Sequence, residues 1–147
     1  MITISLTSDL RSLTTLVKLQ GLLSEITKEL ASTLIAEIRT RIHGEGKKAD
    51  GSQIGSYQED YLPVRKRFGR GGDTKVILSL TSGLENSYGI VQDEKGLYAV
   101  AILNDKYGEI VGYLEEKYGE IFALTAEEKE LVFKILNNRI NQLLEAA

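Results

Sequence analysis

Six consecutive residues, Arg65-Lys66-Arg67-Phe68-Gly69-Arg70, gather four positive charges around one aromatic ring. Such side chains neutralise phosphate groups, and a ring among them can stack on a base. Tyr57 and Tyr61 stand just upstream and add two aromatic side chains. Two readings stay open for Tyr57, Tyr61, Arg65, Lys66, Arg67, Phe68 and Arg70. They form an interface that faces protein or DNA, or they belong to a solvated basic loop. Formal net charge is −3, so the whole molecule has no general attraction for nucleic acid. The charge is unevenly spread: residues 74–147 carry 7 Lys/Arg against 12 Asp/Glu, whereas residues 44–73 carry 6 against 5. No recognition-helix motif accompanies the cluster, so any DNA contact would be non-specific.

Groups suited to catalysis or metal binding are scarce. There is one histidine, His43, and no cysteine. That removes disulfide frameworks, thiolate zinc sites and cysteine nucleophiles. His43 precedes Gly44 at the end of a helical pattern, where an imidazole favours the negative helix terminus. Carboxylates are numerous but follow surface patterns, as in Glu115-Glu116 and Glu127-Glu128-Lys129-Glu130. Two glycine-rich runs, Gly44-Glu45-Gly46-Lys47-Lys48 and Gly69-Arg70-Gly71-Gly72, lack P-loop spacing and the strand–helix setting of a phosphate cradle. The expectation is a non-enzymatic protein with no catalytic residue, no cofactor and no metal.

The elements around these residues follow from periodicity. Residues 1–6 alternate apolar and polar, which predicts a short strand. Ser8 or Asp9 then caps a helix bearing Leu10, Leu13, Leu16 and Val17, which Gly21 bends or interrupts. Leu22, Leu23, Ile26, Leu30, Leu34, Ile35, Ile38 and Ile42 recur at steps of three and four. They predict an amphipathic helix of about 22 residues, ended by His43-Gly44. Residues 44–74 hold seven glycines and the only proline, Pro63. They read as a long, mobile loop anchored by Ile54, Tyr57, Tyr61, Leu62 and Phe68. Lys75 to Leu80 suggests a strand or a short helical turn. Ser87 to Val91 should pair with Leu97 to Leu103 across Asp93-Glu94-Lys95-Gly96. Tyr98, Val100 and Ile102 would face one side of that hairpin, and Ala99, Ala101 and Leu103 the other.

Lys106-Tyr107-Gly108-Glu109-Ile110 recurs as Lys117-Tyr118-Gly119-Glu120-Ile121. Two copies do not make a repeat protein, so the echo reads as two similar turns or coincidence. Thr125-Ala126-Glu127-Glu128 is a capping box. It opens a last helix to about Glu145, with Leu131, Val132, Ile135, Leu136, Ile140, Leu143 and Leu144 as its apolar stripe. The sum is an α+β fold in which a long N-terminal helix and a C-terminal helix pack on a small antiparallel sheet. Residues 1–147 read as one domain. No signal peptide and no run of ~20 apolar residues is visible, so no membrane contact is expected.

After the long helix come Asp50-Gly51-Ser52-Gln53-Ile54-Gly55-Ser56-Tyr57, a basic stretch, Lys75-Val76-Ile77-Leu78, and Leu80-Thr81-Ser82-Gly83-Leu84-Glu85-Asn86-Ser87. This progression resembles the virion-morphogenesis family of tailed bacteriophages, the Mu G-like and lambda Z-like tail-completion proteins, with Ser82 as one extra residue. Ile121-Phe122-Ala123-Leu124-Thr125 is similar to that family's aromatic step into its last helix. The chain departs by lacking the frequent proline before that aromatic and the family's histidine or acidic–aromatic–glycine element. Glu116-Lys117-Tyr118-Gly119 is the nearest equivalent. The resemblance spans roughly residues 20–140. It implies a structural protein for tail completion or head–tail joining that forms a homo-oligomeric ring in the virion. Its partners would be other phage neck or tail proteins, met in the host cytoplasm during assembly. The 44–74 loop would be ordered by neighbouring subunits. The Arg65–Arg70 run would line a DNA channel or pair with an acidic neighbour. The competing function is a small nucleic-acid-binding module that uses Arg65–Arg70.

Overall fold

The computed structural model describes residues 13–72 and 74–146, with side chains from residue 21 onward. The expected strand over 1–6, the Ser8 or Asp9 cap and the stripe of Leu10, Leu13, Leu16 and Val17 lie outside the described residues and side chains. The element order is α1 (Leu13–Arg39), α2 (Leu62–Arg67), β1 (Tyr88–Gln92), β2 (Tyr98–Ile102), α3 (Asp105–Tyr118) and α4 (Ala126–Glu145). This is an α+β arrangement of four helices and a two-stranded antiparallel sheet.

α1 runs through Gly21 without the expected break. A methyl group there would meet nothing within 4 Å. The glycine penalty of about 1 kcal/mol is too small to stop a 27-residue helix that has tertiary partners. Ile26, Leu30, Ala31 and Ile38 are buried along its inner face. The helix then widens into a π-helical turn over Thr40–Glu45, which buries Arg41, Ile42 and His43 in succession. Successive helical side chains point about 100° apart, so one neighbouring surface cannot cover all three. β1 covers the His43 side, and the segment before α4 covers the Arg41 side.

Gly46 stops this turn in the left-handed region, at φ 68°. A Cβ there would overlap the Val76 carbonyl oxygen. Backbone cannot swing aside as a flexible side chain can. Gly46→Ala should therefore cost about 2 kcal/mol or more, counting the left-handed penalty and the clash together. Urea denaturation checks this, and a loss below about 0.5 kcal/mol, the scatter of neutral surface changes, would contradict it.

The hairpin has the expected turn. The Asp93 carboxylate Oδ1 accepts from the Lys95 and Leu97 amides at 2.9 and 2.8 Å. Register places Tyr88 opposite Ile102 and Ile90 opposite Val100. Val100 and Ile102 pack on the core, while Ala99 and Leu103 are exposed. That core joins Ile38, Ile42, Ile54, Val76, Tyr88 and Ile121. A second cluster packs Ile26 and Leu30 of α1 against Val132 and Leu136 of α4.

The capping box at α4 is complete. The Glu128 amide donates to Thr125 Oγ1 at 3.0 Å, and the Thr125 amide donates to Glu128 Oε2 at 2.9 Å. Leu144, assigned to the buried stripe, is instead 70% exposed at the last turn.

Three expectations need correction. Residues 44–74 are not loop throughout. A 3₁₀ turn spans Glu59–Tyr61, and α2 follows with Pro63 in its first turn, where the missing N–H has no helical partner to lose. The segment is also tied down by backbone bonds. Ile54 donates to Gly46 O at 2.8 Å, Tyr57 to Thr74 O at 2.7 Å and Val76 to Gly55 O at 2.8 Å. Second, Lys75 to Leu80 is neither strand nor helical turn. Only Lys75 bridges, to Ser56, and Leu78 turns the chain at φ 48°. Third, the stretch from Asp105 to Tyr118 is a helix rather than a pair of turns, with the Asn104 side chain capping its start.

Candidate functional site

The short helix α2 divides the basic cluster between two surfaces. Its inward face carries Leu62 and Arg65, one turn apart; its outward face carries Lys66 and Arg67, which are exposed. Phe68, just past the helix, is 52% exposed. Arg70 folds back, with its amide on Arg65 O and its Nη2 donating to Ser82 Oγ at 2.9 Å. The cluster is therefore not one continuous basic surface. Arg65 in particular does not face solvent, because it is only 1% exposed.

Arg65 points into a wall shared with Tyr57. Its guanidinium carbon lies 4.0 Å from the Tyr57 ring centroid, and the Tyr57 and Tyr61 rings sit 5.5 Å apart at 56°. Tyr57 Oη accepts from the Ile77 amide at 3.2 Å. Burial pushes the Tyr57 hydroxyl pKa up, against the opposing pull of the Ile77 amide and of Arg65. Arg65 Nη1 donates to Ser79 O at 2.8 Å. Arg65 Nε and Nη2, and the Ser79 hydroxyl, have no partner among the described residues. Arg65 and Ser79 are among the residues that line a cavity of about 640 Å³, together with Tyr107, Lys117 and Tyr118 of α3. Gly83 admits that wall: a Cβ on it would overlap the Tyr107 hydroxyl.

Three of the seven residues singled out by sequence, Tyr57, Tyr61 and Arg65, thus meet at one cavity. Lys66, Arg67 and Phe68 lie outside it. Ser79 carries no motif, whereas Tyr107, Lys117 and Tyr118 belong to the echoed pentapeptide, which reads as turns or coincidence and not as part of a site. The contribution of Tyr107, Lys117 and Tyr118 depends on α3, whose pattern is too polar to stand out.

A second arginine shows what Arg65 lacks. Arg41 is also buried, but its Nε and Nη2 hold the Glu128 carboxylate at 2.7 and 3.3 Å. Its other bonds go to the Lys47, Ile121 and Ala123 carbonyls. Further ion pairs join Lys47 to Glu45 and Arg139 to Glu29, both on the surface.

His43 is a core residue. Its Nε2 lies 3.1 Å from the Tyr88 hydroxyl. Burial lowers its pKa, with Glu85 pulling the other way. That favours the neutral ring, so the expected role as a charged partner of the helix terminus gives way to packing. No group of three or more metal-capable side chains is found among the described residues. No helix among them is long and apolar enough to cross a membrane.

A further concavity, of about 370 Å³, is a largely apolar groove between α1, β2 and α4. Leu30, Leu34, Val100 and Leu136 line it, and Phe133, 59% exposed, stands on its rim. No family model matches the chain, and no curated protein or solved structure matches it either.

Proposed function

We propose that this chain is a structural assembly protein, acting by contacts with other protein chains in a homo-oligomeric ring. On the resemblance carried by Leu80–Ser87 and Ile121–Thr125, its place is tail completion or head–tail joining in a phage virion. Neck or tail proteins would be its further partners, and it would be recruited in the host cytoplasm.

The observation that carries the reading is the apolar groove with Phe133 on its rim. A ring needs two different patches on each subunit, one received by the other. The groove supplies a concave patch. Leu103, Tyr113 and Leu144 are exposed apolar side chains outside it and supply convex ones. The occupant of the groove in this reading is a second copy of the chain.

Native mass spectrometry across a concentration series tests it. The chain should associate as concentration rises, and Phe133→Asp should weaken association by about 30-fold, the effect of losing one aromatic hot spot. Circular dichroism should be unchanged, since Phe133 is already exposed. A chain that stays monomeric up to its solubility limit would remove the proposal.

Contact with nucleic acid is favoured by one observation, the exposure of Lys66, Arg67 and Phe68 side by side. Its signature would be duplex binding with a log–log salt slope of about −2, as two neutralised phosphates produce.

A further inference from the structure

We propose that the Arg65 cavity is a carboxylate-binding site, built to receive an acidic side chain from an incoming protein segment. The inference deepens the assembly reading by naming what one partner surface must carry.

A guanidinium keeps its charge at any ordinary pH, and a charge taken out of water needs a partner of opposite sign. Among the described residues one is supplied to Arg41 and none to Arg65, although Arg65 is the more buried of the two. What Arg65 does have is one bond to Ser79 O and the face of Tyr57. The face of the guanidinium is thus used, while its Nε/Nη2 edge is without a partner. That edge is the fork with which Arg41 grips Glu128, and its two parallel donors match the two oxygens of a carboxylate. The buried Ser79 hydroxyl, also without a partner, can add a third donor.

The surroundings select a carboxylate on a protein segment over a nucleic-acid phosphate. Tyr57, Tyr61, Tyr107 and Tyr118 are in the lining, and Lys117, exposed on α3 with its Nζ 4.9 Å from the Tyr118 ring centroid, adds a second cation. The one acidic residue in the lining, Asp60, is exposed at the rim. The Nε/Nη2 edge lies beneath the cavity surface, so reaching it requires the wall to adjust. A segment that fills the cavity with apolar contacts can drive that adjustment, whereas a small hydrated ion cannot. A duplex backbone would meet Lys66 and Arg67 on the outside instead.

The test is an NMR titration of the full chain, following the Arg65 Nε–H resonance. The probes are the acetylated amide of the pentapeptide Ala-Leu-Glu-Leu-Ala, its counterpart with Gln in place of Glu, and inorganic phosphate. The Glu peptide should shift the resonance saturably, with a dissociation constant on the order of 1 mM, the scale of a few kcal/mol of binding. The Gln peptide should bind at least about tenfold more weakly, the loss of one charge-assisted contact. Arg65→Met should abolish the difference between the two peptides, read from neighbouring amides. Arg65→Lys, which keeps the charge and loses the fork, should weaken the Glu peptide several-fold and covers the case in which Arg65→Met misfolds. Equal binding of the two peptides, tighter binding of phosphate than of the Glu peptide, or binding that survives Arg65→Met would each overturn the proposal. Self-association measured in parallel separates the two readings. A chain that forms oligomers but ignores the peptide loses the pocket alone, and a monomer that binds the peptide loses the ring alone.

Discussion

Glu128→Ala lowers the unfolding free energy by about 3–5 kcal/mol, the usual effect of stranding one member of a buried ion pair. Both partners are almost fully covered, at 7% exposure for Arg41 and 5% for Glu128. The carboxylate accepts from Arg41 Nε at 2.7 Å and from the Thr125 amide at 2.9 Å. One side chain therefore neutralises a buried guanidinium and completes the N-terminal cap of α4. Losing it leaves the cation uncompensated at the point where the π-helical turn, the Ile121–Ala123 carbonyls and α4 converge. The double variant Arg41→Met, Glu128→Leu should lose much less than the sum of its two single changes, because it removes both charges together. Urea denaturation of the four proteins in the cycle gives the coupling. A single-variant loss under about 1 kcal/mol, typical of exposed pairs, would show that the pair is solvated in practice.

Arg65→Met raises stability by about 1–4 kcal/mol, the range seen when buried ionic groups give way to apolar ones. A desolvated cation–π contact returns about 2 kcal/mol, and the bond to Ser79 O about 1.5–3 kcal/mol. Against them stand several kcal/mol of desolvation and about 1–3 kcal/mol for each donor without a partner. Methionine keeps the length and bulk and removes the charge. The sign is what matters: Arg41→Met, the same chemical change at the other buried arginine, should destabilise, because it strands Glu128. A gain in melting temperature of roughly 2–4 °C per kcal/mol reads the effect. A clear loss on Arg65→Met would mean that this arginine serves the fold, leaving no stability cost for a binding role to explain.

Local rules made part of this protein legible in advance. The stripe from Ile26 to Ile42, the capping box at Thr125 and the Asp93–Gly96 turn each rest on residues within a few positions of one another. Their hydrogen bonds and periodicity do not depend on the rest of the chain. The same rules placed Tyr57, Tyr61 and Arg65 among the residues of interest, through composition and charge alone.

Direction and partnership were not legible. Which of four neighbouring cations turns inward depends on α2, a helix of six residues too short to show a period. Whether Gly21 breaks a helix depends on what packs along it. The repeated pentapeptide makes the point most directly. Lys106–Ile110 is helical because Asn104 caps the turn before it, with its side chain accepting from the Lys106 amide at 3.0 Å. Lys117–Ile121 leaves the helix at Gly119, at φ 90°, where the Glu115 carboxylate accepts from the Ile121 and Phe122 amides at 3.0 and 2.9 Å. Identical residues thus take two conformations. The backbone energies of five residues differ little between them, and the bonds that choose come from groups outside the five. Two arginines of one chemistry divide in the same way: long-range packing gives Arg41 a carboxylate 87 positions away and leaves the fork of Arg65 without one among the described residues.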